Sequence, residues 1–137
     1  MGIKDKKAMK AASEAMEEAL AKFQTACGND GSSCEIDWSN WDNYDYDKMS
    51  GSRPKEDVIE SAGTLLSDVI GEMATLCSDE DYKEELATIT KIAVTGKEDQ
   101  DSMYVDFALD GTTLNLALNA DAFGSWKNAD LLKEVWD

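Results

Sequence analysis

Apolar residues along the chain follow a helical period up to about residue 87 and a two-residue period after it. In the first part they recur every three or four positions, which is typical of helices packed against a core. We predict a first helix from Lys4 to Cys27, ended by Gly28 because glycine adopts the left-handed C-cap conformation at no steric cost. We predict a second helix from Pro54 to about Leu76 and a short one from Ser78 to Leu86.

After residue 87 the alternation predicts three strands, at about 88–94, 103–109 and 114–118. Asp110-Gly111 lies between the last two and is a strong signal for a two-residue hairpin turn. Such a turn would pair Phe107 with Leu114 and would place the apolar residues of both strands on one face. A final helix is predicted from about Ser125 to Trp136.

These elements predict a single α+β domain over residues 1–137. We expect a two-layer sandwich, with helices on one face of a three-stranded antiparallel meander, in the order helix, helix, short helix, three strands, helix. Residues 1–3 are expected to be disordered. Residues 28–53 are expected to form an ordered acidic aromatic loop with a short strand near 34–38. In the second helix, Gly63, Ser67 and Gly71 predict a close approach by the first helix.

Charge is abundant and uneven. The chain has 29 acidic and 13 basic residues, a net charge of −16. Four lysines and one aspartate fall in the first ten residues, so the rest of the chain is more acidic still. A field of that sign repels nucleic acid and anionic membranes and speeds encounters with cationic partners. Solubility alone is an equally good explanation of such a charge.

The three cysteines, Cys27, Cys34 and Cys77, predict a reducing environment. They are an odd set, the opening residues lack the apolar segment of a signal peptide, and no apolar run could span a membrane. We therefore expect reduced thiols in a cytoplasmic protein, with Cys77 as a small buried hydrophobe. A Cys27–Cys34 disulfide across the short Gly/Ser loop is the alternative.

The absence of histidine narrows the available chemistry. It excludes Ser-His-Asp and Cys-His catalysis and zinc sites built on imidazole. No glycine-rich phosphate-binding loop is present. Asp42, Asp45 and Asp47 superficially resemble a calcium loop, but their spacing fails the EF-hand pattern. We therefore predict no catalytic activity, no metal and no cofactor.

The strongest functional signal lies between residues 23 and 47, where six carboxylates occur without any lysine or arginine. Aromatic rings interleaved with like charges suit a surface that binds a basic partner, because rings anchor interfaces and an acidic rim selects the partner. One or both tryptophans could instead fold back over the core. The candidate partner-binding residues are Asp37, Trp38, Trp41, Asp42, Tyr44, Asp45, Tyr46 and Asp47.

Three functional hypotheses follow. The first is a non-catalytic acidic domain that neutralises a basic protein, as an immunity-type inhibitor or a mimic of the charge of DNA, without binding nucleic acid or membrane itself. The second is a small acidic secretion or folding chaperone, and stable homodimerisation together with co-purification of one disordered client would favour it. The third is a small-molecule-binding domain with a pocket between helices and sheet, into which Asp68 or Glu72 would point.

Overall fold

The computed structural model describes residues 2–44, 54–97, 105–120 and 129–137. Within these ranges the chain forms helices and one sheet. The helices are α1 (Ile3–Cys27), α2 (Ser39–Asn43), α3 (Lys55–Leu76), α4 (Glu80–Leu86) and α5 (Ala129–Lys133). The strands are β1 (Ser33–Ile36), β2 (Lys91–Lys97), β3 (Val105–Asp110) and β4 (Thr113–Asn119). In these ranges no helix is both long enough and apolar enough to cross a membrane.

The sheet differs from the predicted three-stranded antiparallel meander. It has four strands in the order β1-β2-β4-β3, and β2 pairs in parallel with both β1 and β4. Among the described strands, only the β3–β4 pair is antiparallel. The predicted pairing of β2 with β3 is therefore wrong, because β4 lies between them. Alternation in the sequence fixes the face to which a side chain points, but it does not specify which strand lies alongside.

The β3–β4 hairpin is confirmed, with a shift in register. Its turn residues are Gly111 and Thr112, since Asp110 already pairs with Thr113. Gly111 has a φ of 60°, as the first central position of a primed hairpin turn requires. Phe107 consequently pairs with Leu116 and not with Leu114. A shift of two residues keeps every side chain on its predicted face, so the apolar face is preserved.

One face of the sheet carries the apolar side chains. Ile92 and Val94 of β2 lie beside Leu114 and Leu116 of β4, and all four are buried. The opposite face carries polar pairs, including Lys91 with Glu35 at 2.9 Å and Lys97 with Asp106 at 2.8 Å. The buried sides of the helices share one core with the apolar face.

The two long helices pack closely at one point. A Cβ added to Gly63 of α3 would lie 2.5 Å from the Cβ of Ala12 in α1, so the contact depends on the missing side chain. The close approach predicted from the small residues is thus confirmed at Gly63. It is not found at Gly71, where a Cβ would have no heavy atom within 4 Å.

The helix ends follow the predicted signals with small differences. Gly28 caps α1 with a φ of 62°, and its N–H donates to the carbonyl of Gln24. The N-cap of α1 is Gly2 and the helix begins at Ile3, while Met1 lies outside the described residues. In α4 the cap is Asp79, whose carboxylate accepts from the N–H of Asp81.

The cysteines differ from the prediction. Cys27 and Cys77 form a disulfide between the ends of α1 and α3, with their Cα atoms 5.4 Å apart. Neither three reduced thiols nor a Cys27–Cys34 bridge is present, since Cys34 remains free in β1. Cys27 and Cys34 are close in sequence, whereas the pairing that forms depends on how the two long helices end side by side.

Gly63 and Gly71 allow a matched test of the helix contact. We expect Gly63→Ala to lower the free energy of unfolding by about 1–3 kcal/mol, because the new methyl group overlaps Ala12. Gly71→Ala should raise it by up to about 1 kcal/mol, because alanine is the better helix former and the space is open. Urea denaturation of both variants and of the wild type measures these changes in the free energy of unfolding. Equal shifts of the same sign would contradict the close α1–α3 contact.

Candidate functional site

The acidic aromatic segment is not a single loop. Residues 28–44 include β1 and α2, and Asp45, Tyr46 and Asp47 lie outside the described residues. The remaining five candidate residues therefore define what the structure says about this surface. Asp37, the first of these residues, follows directly after the end of β1, so the position of the sheet fixes where these residues begin.

Trp41 is a core residue and not a surface anchor. Its side chain is fully buried. It lies over Gly96 of β2, where an added Cβ would be 2.8 Å from the Cβ of Asn40 and 3.2 Å from the Trp41 ring. Tyr44 is also buried. The alternative in which a tryptophan folds back over the core is thus found for Trp41, and Tyr44, a candidate for partner binding, is buried in the same core.

Trp38 occupies an intermediate position. It is partly buried against the core, and its ring makes an edge contact with the ring of Trp41 at a centroid distance of 5.1 Å. Aromatic pairs of this geometry add about 0.5–1.5 kcal/mol beyond their buried area. Trp38 thus packs against the buried Trp41 and remains partly exposed.

Asp37 and Asp42 flank Trp38 and are both exposed. The Asp37 carboxylate accepts hydrogen bonds from the hydroxyl and the N–H of Ser39, and these bonds lower its pKa. The Lys55 ammonium donates to the Asp42 carboxylate at 2.8 Å and lowers the pKa of Asp42. Both carboxylates are therefore ionised at neutral pH, and the second ties α2 to the start of α3.

These residues form one wall of an open groove. It encloses about 400 Å³ and runs between the first turns of α1 and the β1–α2 connection. Met9, Ile36 and Trp38 supply its apolar surface. Asp37 and Asp42 supply two negative charges, and Lys6 of α1 supplies one positive charge. The lining residues are Lys6, Met9, Ile36, Asp37, Trp38, Ser39 and Asp42.

Sequence reasoning missed part of this groove. Lys6 and Met9 lie more than 25 positions before Trp38, and no local pattern links them to it. The helical period did place Met9 on the packed side of α1, which was the only available signal. The packing of α1 against the β1–α2 connection is set by the tertiary fold, and the local sequence of residues 37–42 does not encode it.

A second cavity, of about 420 Å³, lies between β3 and α5. It is lined by Val105, Asp106, Phe107, Leu131, Glu134 and Val135. The acids expected to point into a ligand pocket are elsewhere. Asp68 lines a shallow groove between α1 and α3, together with Glu18 and Lys22. Both Asp68 and Glu72 are partly exposed.

The described residues show no arrangement suited to metal chemistry. In those ranges, no three Asp, Glu or Cys side chains lie close enough together to hold an ion. Cys34 is a poor nucleophile, because burial and the neighbouring Glu35 charge raise its pKa to about 12. The groove offers an apolar surface, a tryptophan ring and two carboxylates, and these groups are suited to binding another molecule.

Comparisons of the chain with protein-family models, with curated proteins and with solved structures give no match.

Substitution of the two tryptophans is expected to lower the stability of the fold by different amounts. Trp41→Ala should lower the free energy of unfolding by about 3–5 kcal/mol, because it empties a fully buried site over Gly96. Trp38→Ala should cost clearly less, because part of its ring is already solvated. Chemical denaturation of both variants measures the difference. Equal losses would show that Trp38 is also a core residue.

The link between Lys55 and Asp42 can be tested by titration. Lys55→Gln should raise the pKa of Asp42 toward its ordinary value of 3.8 and leave that of Asp37 unchanged, since Asp37 is held by Ser39. The pKa of Asp42 is lower in the folded chain than in the unfolded chain. The ionised Asp42 therefore stabilises the fold at pH values above its unfolded pKa, and this stabilisation is lost as the pH falls through the lowered pKa of the folded chain.

Carboxyl NMR titration reports both groups. Lys22→Gln is the matched control, since Lys22 lies 4.0 Å from Glu18 on an exposed surface of α1. An unchanged pKa of Asp42 in Lys55→Gln would contradict the ion pair.

Proposed function

We propose that the chain is a non-catalytic, acidic protein-binding domain that neutralises a basic protein partner. The observation that carries the proposal is the groove lined together by the exposed Asp37 and Asp42 and by Trp38, whose ring packs against the buried Trp41. An oriented, partly exposed tryptophan is the type of residue that dominates interface affinity. The partner's contact segment would place lysine or arginine beside an apolar side chain.

Two electrostatic effects act at different ranges. At short range the residues that line the groove carry two negative charges and one positive charge, and the ion pair of Lys55 with Asp42 offsets the remaining negative charge. At long range the chain's net charge of −16 attracts a basic protein from solution. We therefore assign partner selection and rapid association to the whole acidic surface, and the lifetime of the complex to Trp38 and its apolar neighbours.

The ring also suits a cationic side chain directly. A guanidinium or ammonium group over a tryptophan face gains about 0.5–2 kcal/mol, depending on how far it is desolvated. Asp37 and Asp42 on either side could then accept its hydrogen bonds. Both aspartates already have partners, Ser39 and Lys55, and these partners hold the carboxylates in place before binding occurs.

The experiment uses a basic protein that the chain retains at low salt and that is then purified on its own. Its Kd for the chain is measured over a range of ionic strength, with association and dissociation rates. We expect the affinity to fall steeply as salt rises, because exposed charges are screened within about 10 Å at 0.1 M. A flat salt response contradicts the proposal.

Variants separate the two roles. Trp38→Ala should weaken the complex by about 2 kcal/mol, roughly thirtyfold in Kd, mainly through faster dissociation. Asp37→Asn with Asp42→Asn should mainly slow association. The matched control is Glu84→Gln with Glu85→Gln, which removes the same charge from the exposed surface of α4. If the control weakens the complex as much as the groove variants do, the groove is not the binding site.

A further inference from the structure

The disulfide joins the ends of the two helices that form most of the helical layer. Cys27 is the last residue of α1, and Cys77 caps α3. Their Cα separation of 5.4 Å lies within the range that disulfides accept, about 4.4–6.8 Å. Only 2% of Cys27 and 5% of Cys77 is exposed. The bond is therefore shielded from dissolved reductants once the fold has formed.

The surroundings of the bond hold both cysteines in place. Gly28 ends α1 directly after Cys27, and the side chain of Asn29 turns inward. The Asn29 amide donates to the carbonyls of Leu86 and Ile89, at 3.1 and 2.7 Å, and so ties the end of α1 to the α4–β2 connection. On the other side, the N–H of Cys77 donates to the carbonyl of Ala74. The fold thus presents the two sulfur atoms to each other across 50 residues of sequence.

We propose that Cys27–Cys77 is a structural disulfide formed as the chain folds in an oxidising compartment, and that the protein acts there. Structural disulfides form and persist outside the reducing cytosol. The cytoplasmic location predicted from the sequence rested on the odd set of cysteines and on the lack of a signal-peptide segment, and the pairing of Cys27 with Cys77 removes the first of these grounds. This proposal is independent of the basic partner.

The reaction is a thiol–disulfide exchange with an oxidoreductase that carries a reactive disulfide. The thiolate of one cysteine attacks that disulfide, forms a mixed disulfide and releases one thiolate of the oxidoreductase. The second cysteine then attacks the mixed disulfide and releases the other. Two electrons and two protons pass from Cys27 and Cys77 to the oxidoreductase, which leaves as a dithiol.

Once the chain has folded, Cys34 is shielded from any further thiol–disulfide exchange. It lies in β1, on the sheet face that points toward the helices, and its neighbour Glu35 faces the opposite side. Burial and the Glu35 charge raise the pKa of Cys34, so almost no thiolate is present at neutral pH. The odd cysteine count therefore corresponds to one disulfide and one unreactive thiol.

The test counts thiols in the protein from its natural source. Cells are treated with a membrane-permeant maleimide under denaturing conditions, so that free thiols are blocked before lysis can oxidise them. Mass spectrometry then identifies which cysteines carry the label. We expect one labelled cysteine, Cys34, and a linked peptide pair containing Cys27 and Cys77. Three labelled cysteines, or a Cys27–Cys34 link, would overturn the proposal.

A second measurement tests the structural role. Wild-type protein is reduced in urea, refolded with reductant and compared with the oxidised form by thermal unfolding. We expect the reduced form to melt about 10 °C or more lower, since the bond closes a long loop. The control Cys34→Ser should show the same difference in melting temperature between its oxidised and reduced forms as the wild type does. Equal melting of the two wild-type forms would overturn the structural role, and no partner enters either readout.

Discussion

The position of the acidic aromatic segment depends on the burial of Trp41 against Gly96. A Cβ at position 96 would overlap the Cβ of Asn40 and lie tight against the Trp41 ring, so β2 and α2 approach each other closely at this point. A five-residue helix such as α2 is too short to be stable alone, and its place is set by tertiary contacts. This contact and the Lys55–Asp42 pair hold α2, and α2 in turn holds Trp38 and its two flanking carboxylates.

The division of the aromatic residues explains how one short segment contributes to both core and surface. Trp41 and Tyr44 are three residues apart and point inward together, as helical spacing requires. Trp38 precedes α2 and stays at the edge of the core, while Asp37 and Asp42 remain in water. The segment is therefore anchored by its buried rings, which keeps the exposed groups in a defined geometry.

Much of the local structure was predictable, and the reasons are local. The two long helices, the Gly28 cap, the Gly63 contact and the β3–β4 hairpin follow from periodicity, turn residues and small side chains. The strand order could not be predicted from these local signals. The insertion of β4 between β2 and β3 depends on which strand edges meet when the helices cover the sheet. The sequence identified Asp37, Trp38 and Asp42 as candidate residues, but it did not predict the groove that they share with Lys6 and Met9.

The sequence by itself determined the periods, the caps, the face of each strand, the acidic charge and the exclusion of histidine chemistry. These properties depend on residues near one another along the chain, where spacing and side-chain type act directly. Only the tertiary structure decided that β2 and β4 run side by side, that Cys27 meets Cys77, and that Trp41 is buried while Trp38 is partly exposed. Each of these depends on residues far apart in sequence, whose encounter is set by how the helices and the sheet pack together.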